Sequence, residues 1–298
     1  MKVATSQYRV KSITCFEDFA GHVRWHVEQA AAQGAELLLL PEFFTAELLT
    51  LNKNLGKHPD FPALFEQYGK AHTEDIQACC RELGMEFGMI LAGGTHFTFD
   101  PEDGRYYNTC FVFAPDGRMY QQSKVHPSYE LVYNKEMTSP AKDLGTFDIN
   151  GIRLGASICY DCSFPEVSRI LGMLGADIIL APTCTLDAWG SERSVLFSKA
   201  RATENQVYVI NSQLIGFLPF PPHLPYGFAF TGISGIYAPI HPMVGHSDGI
   251  VRQGEPNVEM VVTADIDLDY LREVRLKGHN QNRKDMRPDF YKRFEVTA

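Results

Sequence analysis

Three side chains in this chain have the right types for nucleophilic chemistry if the fold brings them together: Glu42, Lys124 and Cys159. Ile152, Leu154, Ala156 and Ile158 alternate as a strand does, and Cys159 ends the run where Asp161, Ser163 and Pro165 signal a helix start. A thiol at such an elbow projects from the edge of a sheet. The free N–H groups and positive dipole end of the coming helix favour a thiolate and a developing oxyanion there. A free cysteine is more often a small packed core residue, so the other two side chains must decide the reading. Glu42 follows Ala35 to Leu40, a continuous apolar run of the kind that forms a strand buried on both faces. Lys124 lies near the end of Met119 to Val125, a strand returning from the turn Pro115-Asp116-Gly117. All three therefore sit at the carboxyl ends of strands, where open α/β sheets gather their sites.

The elements that must position these residues can be read in chain order. Val3 to Val10 is a first strand, and Phe16, Phe19, Val23, Val27 and Ala30 recur at helical spacing until Gly34. A second helical pattern spans Pro59 to Leu83 with Gly84 as its stop, and Phe87 to Phe97 and Thr109 to Ala114 read as strands. His126 to Gly145 is irregular and is read as a loop over a site. Asn150-Gly151 turns into the strand that ends at Cys159, and a helix from Phe164 to Leu174 follows. Ala176 to Pro182 is a buried strand, Ser191 caps a helix reaching about Gln206, and Val207 to Ile210 is a short strand. A proline-rich loop occupies Gly216 to Gly227. Ile233 to Ala238, Gly249 to Gln253 and Asn257 to Ile266 are further strands. With no repeat and no linker-like break in composition, residues 1–298 read as one domain, with a polar C-terminal tail from about residue 268.

Three segments, Leu37-Leu38-Leu39-Leu40-Pro41-Glu42-Phe43-Phe44, Lys124-Val125-His126-Pro127 and Cys159-Tyr160-Asp161-Cys162-Ser163-Phe164-Pro165-Glu166, occur in this order. They resemble the signatures of the nitrilase-like carbon–nitrogen hydrolases. Gly175-Ala176-Asp177, the run Arg201 to Val209 and Gly232-Ile233-Ser234 are similar as well, so the resemblance covers Val3 to about Leu271. Three ordered signatures are far more specific than any one of them. The resemblance implies an α/β fold, a four-layer αββα sandwich, which dimerises through its helical faces. It implies Cys159 as nucleophile, Glu42 as general base and acid, and Lys124 as electrophilic stabiliser. A further glutamate after the lysine is expected at Glu130, with Glu136 as second choice. An unperturbed thiol is only a few per cent ionised at neutral pH, so activation needs such a base and cation. Attack on an amide carbon makes a tetrahedral oxyanion for which Lys124 and the backbone N–H of Tyr160 are the natural donors. Glu42 then protonates the leaving amine and deprotonates the water that hydrolyses the thioester.

Cys159-Tyr160-Asp161 resembles the amidase and carbamoyl-hydrolase branches, and an amide of a small molecule is the expected substrate. An N-carbamoyl amine hydrolase or a nitrilase on the same site is the alternative. A similar branch is sometimes joined to an acetyltransferase domain, for which this chain has no room. Phe43, Tyr129, Tyr133, Thr183, Cys184 and Trp189, all near strand ends, are candidate substrate-pocket residues. Cys162 completes a Cys-x-x-Cys spacing, which gives a rival reading as a thiol oxidoreductase using Cys159 and Cys162. A second such pair is absent, so no metal and no cofactor is expected.

Composition bounds the remaining classes. With 36 acidic residues and a net charge of −9, the chain offers no basic field for nucleic acid or anionic membranes. No window approaches the ~18 apolar residues of a membrane span, and the N-terminal segment lacks the apolar core of a signal peptide. Seven irregularly spaced cysteines fit a reducing compartment. The expectation is a cytoplasmic homodimer or higher homo-oligomer.

Overall fold

Alternation within the strands sets the layering. In the computed structural model, which describes residues 1–51, 68, 70–128, 138–218 and 228–294, the first half runs β1 (Lys2–Val10), α1 (Phe16–Ala32), β2 (Leu37–Leu39), α2 (Thr73–Phe87), β3 (Ile90–Asp100), β4 (Arg105–Phe113) and β5 (Met119–Ser123). The second half runs β6 (Phe147–Ile149), β7 (Ile152–Ala156), α3 (Pro165–Met173), β8 (Ile178–Thr183), α4 (Ala188–Asn205), β9 (Tyr208–Leu218), β10 (Phe228–Phe230), β11 (Gly235–Tyr237), β12 (Ile250–Gln253), β13 (Met260–Asp265) and α5 (Leu268–Lys277). Both faces of β2 and β8 are apolar because both are covered. Leu38 and Leu40 pack with Val23, Val27, Ile76 and Leu83 of α1 and α2, whereas Leu37 and Leu39 join a central core with Leu154, Ile178 and Leu180. Ile179 and Ala181 of β8 face the opposite way, onto Val167, Leu171 and Ala202 of α3 and α4. Helices, sheet, sheet and helices thus form the four αββα layers expected from the sequence.

The two inner layers are continuous. The strand order is β5-β4-β3-β2-β1-β9-β8-β7-β6, and the join is the parallel pairing of β1 with the far half of β9, Gln7 opposite Gln213 through Val10 opposite Gly216. β9 therefore extends to Leu218, well past the Ile210 expected from its apolar run. Its middle, Asn211-Ser212-Gln213, is polar yet buried, satisfied by hydrogen bonds that alternation of hydrophobicity does not register.

Other boundaries shift for local reasons. α2 passes through Gly84 and stops at Gly88, whose φ of 63° supplies the left-handed cap, so Gly84 is not the terminator. Asp187, rather than Ser191, caps α4 by accepting from the Gly190 N–H at 2.6 Å. The segment from residue 268 is not a loose tail at its start: α5 buries Leu271 and Val274, and Arg272 and Arg275 each reach Asp177 at 2.9 Å. No helix among the described residues is long and apolar enough to cross a membrane.

Candidate active site

Glu42 leaves β2 through Pro41 and is fully buried. Its placement depends on how closely β3 approaches. At Gly94, with φ 49°, a Cβ would lie 2.0 Å from the Pro41 carbonyl oxygen, so only glycine admits this contact. Phe43 next to it also has positive φ, 56°, and its N–H donates to Thr95 Oγ1 of β3 at 3.2 Å. Glu42 Oε1 accepts from Asn108 Nδ2 of β4 at 2.8 Å and from Lys124 Nζ at 2.7 Å. Glu42 Oε2 is buried with no hydrogen-bond partner among the described residues. Lys124 is fixed at its backbone by donating to the Asn108 carbonyl at 2.8 Å, and its ammonium also reaches Ser128 Oγ at 3.3 Å.

Cys159 opens a 3-10 turn, Cys159–Ser163, between β7 and α3. Its φ of 49° is a left-handed conformation in a non-glycine residue, strained backbone of the kind that turns a side chain out from a sheet edge. Its Sγ lies 3.5 Å from the Cys184 carbonyl oxygen at the end of β8. Asp161 holds the elbow to the segment after β5: its carboxylate accepts from the N–H groups of Val125 at 3.1 Å, His126 at 2.7 Å and Ile158 at 3.2 Å. His126 Nδ1 is 3.0 Å from the same carboxylate and its ring stacks on Phe164 at 3.7 Å, so this histidine braces the elbow.

The electrostatics separate two states of the thiol. Burial raises the Cys159 pKa, the Glu42 charge raises it further, and Lys124 opposes both without prevailing. Burial would lower Lys124, but Glu42 and then Cys159 hold it above the ordinary lysine range. For Cys159 burial is the leading cause, and with Glu42 beside Lys124 offsetting its charge the thiol is held protonated.

A cleft of about 760 Å³ opens over Cys159, lined also by Ser128, Tyr160, Thr183, Cys184, Arg193 and Phe197 among others. Of the expected pocket residues, Thr183 and Cys184 line it. Phe43 does not: it is buried in the core and stacks on Phe97 at 4.7 Å. Trp189 does not either, standing 77% exposed on the first turn of α4. Tyr129, Glu130, Tyr133 and Glu136 lie outside the described residues. Cys162 is buried away from the cleft, its Sγ 3.3 Å from the Ser157 carbonyl oxygen and its pKa pushed up to about 11 by burial, which gives the dithiol reading no support. Asn108 and Asp161 were not singled out as site residues. The sequence signals for them are a polar residue inside the inward-facing register of β4 and an acid two positions after Cys159.

A carbon-nitrogen hydrolase family model matches residues 2–276. The chain belongs to the carbon–nitrogen hydrolase family. It is 34% identical over 293 residues to a probable hydrolase, YhcX, of Bacillus subtilis (strain 168), covering 98% of this chain but 54% of that protein. The chain thus spans about half the length of that relative. It is 28% identical over 281 residues to the omega-amidase NIT2 of Danio rerio, covering 92% of this chain and 91% of the relative. In three dimensions it resembles a carbon-nitrogen hydrolase from Helicobacter pylori G27, with a TM-score of 0.81 at 22% identity over 100% of this chain and 98% of the other. That likeness establishes the nitrilase fold.

Proposed function

We propose that this carbon–nitrogen hydrolase cleaves the amide of a small molecule through a thioester on Cys159, with Glu42 as base and acid and Lys124 as the electrophilic cation. The observation that carries this is the buried Glu42–Lys124 pair, 2.7 Å apart, coupled electrostatically to a thiol that opens into a cleft. Glu42 takes the thiol proton as sulfur attacks the carbonyl carbon, and the new oxyanion is held by Lys124 Nζ and the Tyr160 backbone N–H. Glu42 passes the proton to the leaving nitrogen, whose bond to carbon breaks. It then deprotonates a water that attacks the thioester, regenerating the thiol and releasing the acid. An N-carbamoyl amine or a nitrile offers the same electrophilic carbon and is the alternative on this site.

Thr183, Arg193 and Phe197 give the cleft both polar and apolar walls, which supports a short acyl chain carrying a hydrogen-bond acceptor. The exposed apolar residues Ile170, Met173 and Leu174 on α3 and Trp189 and Leu196 on α4 support a homodimer formed through these helices. The seven cysteines are all free, which supports a reducing compartment. The deciding experiment is a panel of small amides, carbamoyl amines and nitriles with ammonia detection, run beside Cys159→Ala. Amide turnover lost in Cys159→Ala supports the proposal, whereas turnover retained in that variant overturns the role of Cys159.

A further inference from the structure

On the outer face of β1, away from Cys159, α1 presents His22 and His26 one turn apart toward Glu259, which immediately precedes β13. His22 Nε2 lies 2.7 Å from Glu259 Oε1 and His26 Nε2 lies 3.5 Å from the same oxygen. One ligand atom from each of the three residues falls within 4.8 Å of the others. The i, i+4 spacing places both imidazoles on one helix face.

We infer that His22, His26 and Glu259 form a binding site for a zinc-type divalent cation, which would tie α1 to the strand pair β13 and β1. Two imidazole nitrogens and one carboxylate are a zinc donor set, and a water would complete four-coordination. Donors about 2.1 Å from a tetrahedral ion stand roughly 3.4 Å apart, so the pairs at 2.7 and 3.5 Å need to move by less than an ångström, and the widest, within 4.8 Å, by about 1.4 Å at most.

What distinguishes this cluster from a chance meeting of polar side chains is the next layer. The other ring nitrogen of each histidine is already anchored: His22 Nδ1 to Glu47 Oε1 at 3.0 Å, and His26 Nδ1 to Ser6 Oγ at 3.0 Å. Glu47 is in turn held by Tyr8 Oη at 2.9 Å and by the Lys11 N–H at 2.9 Å. Carboxylate–histidine–metal and hydroxyl–histidine–metal relays orient ligands in this way, leaving Nε2 for the ion. Tyr8 packs against both rings, 4.2 Å from His22 and 4.7 Å from His26, which restricts their planes. His26 is fully buried, yet its Nε2 has no hydrogen-bond partner among the described residues. A buried ring nitrogen aimed at a carboxylate without bonding to it is the atom a cation would satisfy. Glu259 is partly exposed and gives the ion a route in from solvent.

The test is titration of the chelator-treated protein with zinc by calorimetry and with cobalt(II) by visible absorption. The expected result is one equivalent bound at micromolar or tighter affinity, with cobalt d–d bands of the strength of a tetrahedral site and no thiolate-to-cobalt charge transfer. Zinc should raise the thermal midpoint of the native chain but not that of Glu259→Gln, whose partly exposed position keeps the fold. Ser6→Ala, which leaves all three ligands in place, should weaken binding about 10- to 100-fold. Absence of stoichiometric binding by the native chain overturns the site. Affinity unchanged in both Glu259→Gln and His26→Gln, or a cobalt spectrum with thiolate charge transfer, overturns it equally, since the metal would then sit on other groups.

Discussion

Lys124 Nζ stands 2.7 Å from Glu42 Oε1, and both side chains are buried. A pair so placed is costly to break from either side, because the survivor becomes an uncompensated buried charge; such losses run to about 3–5 kcal/mol. The residues should nonetheless fail at different steps. Glu42→Gln keeps the shape and removes the base, so acyl-enzyme formed from an activated ester should persist and appear as a mass adduct. Lys124→Ala removes oxyanion stabilisation, so acylation itself should fall on the order of 100- to 1,000-fold and no adduct should accumulate. Circular dichroism of each variant separates these effects from unfolding. Adduct trapped in Lys124→Ala with normal turnover in Glu42→Gln would reverse the assigned roles.

Asp161 is expected to matter more than its place in a short turn implies. Its carboxylate gathers three backbone N–H groups and one imidazole, joining the segment that carries Lys124 to the elbow that carries Cys159. Asp161→Asn keeps the size but loses the charge and one acceptor. The expected cost is about 2–4 kcal/mol in denaturant unfolding, with kcat falling more than KM rises. An unchanged kcat in the folded variant would show that the bracing does not reach the thiol.

The strand ends that carry Glu42 and Cys159 were legible because each follows an apolar run of a readable period, and that of Lys124 because a turn at Pro115-Asp116-Gly117 sends a strand back toward it. That β2 and β8 are covered on both faces was legible in their continuous apolar runs, whereas the four-layer arrangement came from the family resemblance. What escaped was set by long-range pairing. The polar stretch Asn211-Ser212-Gln213 of β9 looks like the end of a strand until β1 and β11 supply the pairing on either side of it. Phe43 and Trp189 were placed by nearness in sequence to strand ends, but one turns into the core and the other to solvent. The upward shift of the Cys159 pKa was equally hidden, since it follows first from burial and then from the nearby Glu42 charge.

The docking of α5 should be pH-dependent through Asp177. Burial would raise this carboxyl, but Arg272 and Arg275 hold it below the usual aspartate range. A folded pKa below the unfolded value of about 3.9 means that the stabilisation is fully present above that value and is lost as pH falls through the folded pKa. Asp177→Asn should therefore cost about 1–3 kcal/mol at neutral pH, where two charge-assisted pairs are removed. The difference from the native chain should shrink below about pH 4. A deficit constant from neutral pH to pH 2 would assign the loss to packing instead of charge.

Gly94→Ala tests whether the close approach of β3 positions Glu42. The added methyl would meet the Pro41 carbonyl oxygen at 2.0 Å and the Leu40 carbonyl oxygen at 3.0 Å, both backbone atoms that a rotamer change cannot clear. The φ of 49° adds strain for any residue with a Cβ. The chain must therefore push β3 away from the turn that ends in Glu42. We expect a loss on the order of 3 kcal/mol or more in unfolding free energy. At a temperature where the variant is folded, kcat should also fall, because a carboxylate displaced by an ångström no longer meets Lys124 and the thiol together. Gly84→Ala is the control. It also adds a methyl between helix and sheet, with its closest contact 3.3 Å from the Met89 carbonyl oxygen, but in a helical conformation remote from Pro41. It should cost stability with kcat unchanged. Equal kcat values for the two variants would show that the Gly94 contact supports the fold without setting the position of Glu42.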